Sequence, residues 1–197
     1  MTHGYPFETL PDLVAPKMRV LFVGINPSLY SVGVGHYFAR PGNRFWPALS
    51  ASRLSLSARW QLRADRLTPA HDAALIDCGF GFTDLVKTGS NSASSLHVRD
   101  FREWAPNLLD RIRLWQPAVA CFQGLTAARP FVRWGLGGDP TSLRVAGPLE
   151  AMVGATCLYV APSPSAANAS VRLMDLVRCF DALADHAGDP ACETLDR

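Results

Sequence analysis

Three short apolar runs punctuate the chain: Met18–Val23 (MRVLFV), Ala118–Phe122 (AVACF) and Thr156–Val160 (TCLYV). Runs this short, without polar alternation, predict strands buried on both faces, the habit of parallel sheets. A fourth segment, Phe80–Val86 (FGFTDLV), reads as a strand or a strand-like turn. A helix is expected from Asn43 onward (NRFWPALSASRL), with an aromatic inner face and Pro47 in its first turn. Thr68 as N-cap and Pro69 at the first helical position predict a helix to about Ile76. Further helices are expected over Asp100–Trp115, bent near Pro106, over Leu125–Val132, and from Ser170 to about Ala184. In the last, Val171, Met174, Val177 and Phe180 recur at spacing three and are assigned to one buried face.

Polar, Gly- and Pro-bearing segments fill the gaps. They are an irregular lead-in arm over residues 1–17, a long loop from Gly24 to Gly42, and a polar loop over Lys87–Ser95. A loop with at most one edge strand spans Trp134–Pro148, another loop spans Ala161–Asn168, and residues 188–197 read as a frayed acidic tail. Apolar strands alternating with helices predict one domain over residues 18–187. Its expected fold class is α/β, a three-layer α/β/α sandwich around a short, mostly parallel sheet. Ligands of such sheets bind outside the carboxyl ends of the strands. That rule directs attention to the loops after Gly24 and Ala161, and to the segment from Thr83.

Composition narrows the class. Of 197 residues, 48% are hydrophobic and 18% charged, which is globular rather than disordered. No run of 18 apolar residues suggests a membrane span, and the opening lacks the basic and apolar regions of a secretory signal. Five cysteines, an odd count without a C-x-x-C pair, argue against a disulfide framework, a zinc ribbon or a clustered iron–sulfur site. They fit a reducing cytoplasm. The net charge of +2 conceals an uneven distribution. From Asp175 to the end there are six acids against two bases, whereas Arg40, Arg44, Arg53, Arg59, Arg63 and Arg66 face one acid, Asp65, in their stretch. A cluster of guanidinium forks suits phosphate recognition; the competing reading is a solvated helix face.

Three segments carry candidate chemistry. Gly24-Ile25-Asn26-Pro27-Ser28 follows the first strand. Gly24 permits close approach of a ligand to the backbone, and Pro27 sets the turn. Asn26 is left at the strand end with an amide that can orient a water but has no accessible pKa for base catalysis. In His36–Trp46 (HYFARPGNRFW), Phe45 and Trp46 are assigned to the core with Asn43 as cap. Phe38 lies in the loop before them, where an aromatic can stack on a planar base. Pro162–Asn168 (PSPSAAN) is a short loop stiffened by two prolines, of the kind that can enter a duplex as a wedge.

Taken together and in order, LPDLVAPKMRVLFVGINPSL, HYFARPGNRFW, FGFTDLV and PSPSAAN resemble the mismatch-specific uracil/thymine-DNA glycosylases of the uracil-DNA glycosylase superfamily, from Leu10 to Ala184. The resemblance implies excision of uracil, and in some members thymine or damaged pyrimidines, from mispaired double-stranded DNA. It implies no cofactor and no metal, and a nucleotide flipped out of the stack. By position, Asn26 matches the residue that places the hydrolytic water, and Phe38 the aromatic that stacks on the base. Ser31 lies where the pocket limits the C5 substituent, and Asn43 in a pocket-forming motif. Pro164, Ser165 and Ala166 match the wedge, flanked by Ser163 and Ala167. Gly24 and Ile25 are assigned to substrate binding, and backbone N–H groups of the loop after Gly24 are placed to stabilise the leaving base. Arg40 and Arg44 are assigned to DNA.

One departure is Asp84. Members of the family carry Lys or Asn at this place, so an acid here is either a second water-activating group or a turn Asp bonded to nearby amides. Another is Ala167, where some thymine-excising relatives have Arg; with Ser31 it favours uracil. The alternatives are a broader enzyme also acting on A:U pairs or single-stranded DNA, and a non-catalytic module that binds DNA lesions. A dinucleotide-dependent oxidoreductase is disfavoured because no G-x-G-x-x-G follows the first strand. A monomer is the default.

Overall fold

The computed structural model describes residues 7–16, 18–143 and 147–188. The four buried segments form strands: β1 Val20–Gly24, β2 Phe80–Asp84, β3 Val119–Gln123 and β5 Thr156–Ala161, with β4 Gly147–Val153 between the last two in sequence. They make one sheet in the order β2-β1-β3-β5-β4, in which only β4 runs antiparallel, pairing with β5. Apolar side chains on alternate residues project to opposite faces, so each face needs its own helical cover.

On one face Phe22, Phe80 and Phe82 pack with Phe45 and Trp46 of α2 (Phe45–Ala51) and Phe180 of α6 (Leu173–His186). On the other, Leu21, Val23, Phe122 and Leu158 meet Trp104, Leu108 and Ile112 of α4 (Val98–Trp115), with Ala127 and Ala128 of α5 (Leu125–Pro130). The three layers expected from the sequence are present. Pro47 sits in the first turn of α2, where its missing N–H costs nothing.

The departures have local causes. The loop after Gly24 contains α1 (Leu29–Val34), started by Ser28, whose hydroxyl accepts from Ser31 N, and stopped by Gly35 at φ 78°. Its apolar residues Leu29, Tyr30 and Val34 are exposed, so no buried periodicity announces it. The helix expected from Thr68 breaks into two 3₁₀ turns, Pro69–His71 and Ala74–Cys78. Asp72 at the break turns inward and accepts from Tyr37 N at 2.9 Å and Ala73 N at 2.7 Å. An α3 helix, Leu56–Gln61, follows α2. In α6 the buried face is Leu176, Val177, Phe180, Leu183 and Ala184, while Met174 is 55% exposed. A strict spacing of three drifts around a 3.6-residue helix, so Met174 leaves the face that Phe180 holds. The edge strand begins only at Gly147, with alternating, mostly exposed residues.

Part of the lead-in is described. Leu13 bridges Phe82 in antiparallel fashion along the outer edge of β2, and Thr9 and Leu10 are buried. The acidic tail lies outside the described residues from Asp189 onward, and Cys192 with it. Among the described residues no helix is long and apolar enough to cross a membrane.

Candidate active site

The register of the sheet lines up one residue from each of four strands at their carboxyl ends. Gly24 pairs with Asp84, Gln123 with Ala161, and Val23 with Phe122 one step earlier, so the row reads Asp84, Gly24, Gln123, Ala161. A cavity of about 780 Å³ opens above this row. Asn26 and Ile25 enter it from the end of β1, Ser31 from α1, and Phe38, Arg40 and Asn43 from the turn before α2. Ser163, Pro164, Ser165 and Ala167 close the far side. Residues separated by more than 130 positions therefore share one cleft.

Asn26 is held by its amide nitrogen, which donates to Ser90 Oγ at 2.8 Å, Thr88 O at 3.1 Å and Pro27 O at 3.3 Å. Two of these partners are carbonyls that can only accept, so the amide cannot be flipped and Oδ1 is presented as an acceptor. Ser90 belongs to the polar loop after β2, which bridges to Ser28. Ser31 is buried; its hydroxyl accepts from Ser28 Oγ at 3.0 Å and from Ala39 N at 3.3 Å, which fixes the turn carrying Phe38. Phe38 has φ 53°, a conformation that non-glycine residues adopt at a cost of about 1–3 kcal/mol. Its ring stacks on Phe45 with centroids 4.2 Å apart. Asn43 Oδ1 accepts from Phe45 N at 2.9 Å and so starts α2.

The two arginines of this segment part company. Arg40 stays exposed on the rim, donating to Asn91 O at 3.2 Å. Arg44 turns its guanidinium inward, to the carbonyls of Ser165 at 2.6 Å, Asn168 at 2.8 Å and Val171. Its side chain grips the Pro162–Asn168 loop, so these carbonyls occupy a guanidinium that the sequence assigns to DNA. Pro164 is buried at the loop's base, whereas Ser165, Ala166 and Ala167 form an exposed tip. Ala166 does not line the cleft; its methyl lies against Gly42. The arginine run is likewise no continuous face, since Arg53 pairs with Asp185 and Arg59 bonds Asp65 O.

Asp84 is buried, with Oδ2 lacking a hydrogen-bond partner among the described residues. It is therefore no turn Asp satisfied by amides. Desolvation raises its pKa to about 7; Lys87 and Arg111 pull it down, and Asp12 pushes it up. These three form a group behind β2 in which Lys87 is fully buried and Asp12 and Arg111 are partly so. Asp12 Oδ1 accepts from Lys87 Nζ at 2.7 Å, Thr83 Oγ1 at 2.6 Å and Arg111 Nη1 at 3.2 Å. Arg111 Nη2 donates to the Asp84 carbonyl at 3.1 Å. Sequence reasoning missed Asp12, Lys87, Arg111 and Ser90. No local signal could have found the charged three, since Lys87 meets Asp12 across 75 positions. Gln123 was also missed. It is buried in the cleft wall, its Nε2 donating to Cys121 O at 3.3 Å. Among the described residues no three His, Cys, Asp or Glu side chains converge as metal ligands.

A cleft at the carboxyl ends of a mostly parallel sheet, here with an oriented amide and a buried carboxylate at its floor, is where open α/β sheets bind their ligands. The description "Uracil DNA glycosylase superfamily" matches residues 11–184, and the chain belongs to that superfamily. Membership supports uracil-DNA glycosylase activity in general. Among solved structures the chain is similar to an NMR structure from Methanosarcina acetivorans, a provisionally assigned uracil DNA glycosylase, at 18% identity and a TM-score of 0.50. That similarity covers 91% of this chain and 97% of the other, and it bears on the fold.

Proposed function

We propose that this protein is a monofunctional DNA glycosylase that excises uracil mispaired in double-stranded DNA and leaves an abasic site. The observation that carries the reading is the meeting of an oriented Asn26 amide and a buried Asp84 carboxylate in one cleft with Phe38. The glycosidic bond is out of reach inside a duplex, so the nucleotide must be flipped into the cleft. Its base stacks on Phe38, which Phe45 supports from behind. The exposed Ser165–Ala167 tip fills the vacated space, and Arg40 takes a phosphate.

Breaking the bond between C1′ and the base nitrogen leaves the electron pair on uracil and positive charge on the sugar. Backbone N–H groups of the loop after Gly24 stabilise the leaving anion. A water held by Asn26 Oδ1 attacks C1′, and its proton passes to ionised Asp84. A base with a pKa near the working pH is typically worth 10²–10⁴-fold. Ser31 and the small Ala167 favour uracil over thymine. The enzyme acts as a cytoplasmic monomer and needs no cofactor.

The carboxylate also favours a second reading, activity on A:U pairs or single-stranded uracil, because an enzyme with a general base depends less on the weakness of a mispair. The deciding experiment is alkali strand nicking on uracil duplexes with each opposing base, using wild type, Asn26→Ala and Asp84→Ala. Excision confined to mispairs and abolished by Asn26→Ala, with abasic-site binding retained, supports the mismatch enzyme. Equal rates on A:U support the broader one. Absence of excision by wild type supports a non-catalytic lesion binder.

A further inference from the structure

The buried and partly buried charges behind β2 form an arrangement that the proposed reaction does not use. Asp12 lies in the lead-in segment, Lys87 three residues after Asp84, and Arg111 on α4. The Lys87 side chain is fully buried, with Nζ 2.7 Å from Asp12 Oδ1 and 3.4 Å from the Tyr37 hydroxyl, and Tyr37 lines the cleft. Arg111 Nη1 reaches both Asp12 oxygens at 3.2 Å and Thr83 Oγ1 at 2.8 Å. One carboxylate thus receives two cations, and the three groups sum to one positive charge. Thr83 and the Asp84 carbonyl tie this group to the last residues of β2.

Buried charge is tolerated when it is balanced. An ionised Asp84 brings the four-residue group to neutrality, whereas a protonated Asp84 leaves it positive. The groups facing Asp84 come from every element packed around it: Lys87 beyond β2, Asp12 from the lead-in, Arg111 from α4, and the Tyr37 hydroxyl after α1.

We infer that Lys87 and Asp12 are positioning residues that set the charge state of Asp84 from behind the cleft, so that the lead-in segment is part of the active site's electrostatics. The inference rests on Asp84 acting as the general base. Lys87 favours the ionised, proton-accepting form, and Asp12 opposes it and restrains Lys87. Without Lys87 the base is protonated at neutral pH; without Asp12 it is ionised further into the acid range. The directions of the perturbation on Asp84 agree: Lys87 lowers its pKa and Asp12 raises it.

Both substitutions break the same ion pair, so a purely structural role predicts the same outcome for each. Electrostatic control predicts opposite outcomes. The test is the pH dependence of single-turnover excision on a duplex with one uracil opposite guanine, for wild type, Lys87→Met, Lys87→Arg, Asp12→Asn and Asp84→Asn. The wild-type rate is expected to rise with pH through a midpoint near 7. Lys87→Met should move that midpoint up and Asp12→Asn should move it down, each on the order of one pH unit, while Lys87→Arg stays at the wild-type position. Midpoints that do not move, or move in the same direction, overturn the inference. Asp84→Asn separates this failure from failure of the underlying reading. If it abolishes the pH dependence, Asp84 is the base and only the inference is at stake. If it leaves the profile intact, both fall. Lys87→Gln supplies the comparison should Lys87→Met not fold. A ¹³C NMR titration of the Asp84 carboxyl in DNA-free protein reads the same displacements without turnover.

Discussion

The carboxylate of Asp84 occupies the space in which residue 24 would carry a side chain. The two residues are register partners at the ends of β1 and β2, and a Cβ placed on Gly24 would collide with Asp84 Oδ1 and come within 3.3 Å of Cγ. Leu85 N donates to Gly24 O at 2.8 Å, so the strand ends cannot separate to make room. Gly24 is needed for what it leaves empty.

Gly24→Ala should therefore behave as an indirect loss of Asp84. Overpacking of this kind costs about 1–3 kcal/mol of stability, and displacement of the carboxylate should lower single-turnover excision by about 10²-fold or more. Urea denaturation and excision kinetics on the same preparation check both. An unchanged rate in a folded Gly24→Ala protein would show that the position of Asp84 is immaterial.

Stability should decline with rising pH across the range set by Asp84. Burial raises its pKa from 3.8 to about 7. Between those values the folded chain keeps a proton that the unfolded chain has lost, so folding is favoured at the acid end. The contribution is fully present below about pH 4 and is lost as pH rises through 7, with an upper bound on the order of 4 kcal/mol. Asp12 has the opposite sign: it gains from Lys87 and Arg111, its pKa is lowered, and that stabilisation is lost only below the ordinary carboxylate range. Unfolding free energies at pH 5 and pH 8 should differ in wild type and converge in Asp84→Asn.

Arg44 and Arg40 should separate in a salt titration. Arg44 is committed to the carbonyls of the Pro162–Asn168 loop, so Arg44→Ala should cost about 1–3 kcal/mol of stability and weaken abasic-DNA binding without changing its salt dependence. Arg40 is exposed on the rim, and Arg40→Ala should reduce the slope of log K against log salt by about one. A slope change on Arg44→Ala would place that side chain on phosphate after all.

Phe38 carries both a strained backbone and the stacking surface. Phe38→Gly relieves the positive φ but removes the ring from Phe45 and from the base, so the lost packing should leave the fold less stable than wild type. Loss of one stacked base is worth about 1–3 kcal/mol, which corresponds to roughly a 5- to 160-fold weaker apparent affinity for uracil DNA. Phe38→Leu should lose stacking and retain the strain. Similar affinity in all three proteins would show that this ring does not contact the base.

Much of the molecule is legible along the chain. Uninterrupted apolar runs name the strands and make them parallel, because a strand buried on both faces has no polar side to offer water. The Asn26 turn and the Pro162–Asn168 loop fall at the ends of β1 and β5 for the same local reason, whereas the Phe38 loop lies between α1 and α2. What the chain conceals depends on groups far apart in sequence. Asp84 stands out in sequence as an acid at an unusual place, but its raised pKa exists only once β1 places Gly24 beside it and the fold removes its water. Lys87 meets Asp12 across 75 positions. Nothing along the chain shows that the carbonyls of the loop after β5 take up the Arg44 guanidinium. Strand formation follows from neighbours within a few residues, so composition and spacing record it. A charge state follows from solvation and from every charge nearby, and these exist only once the sheet has assembled.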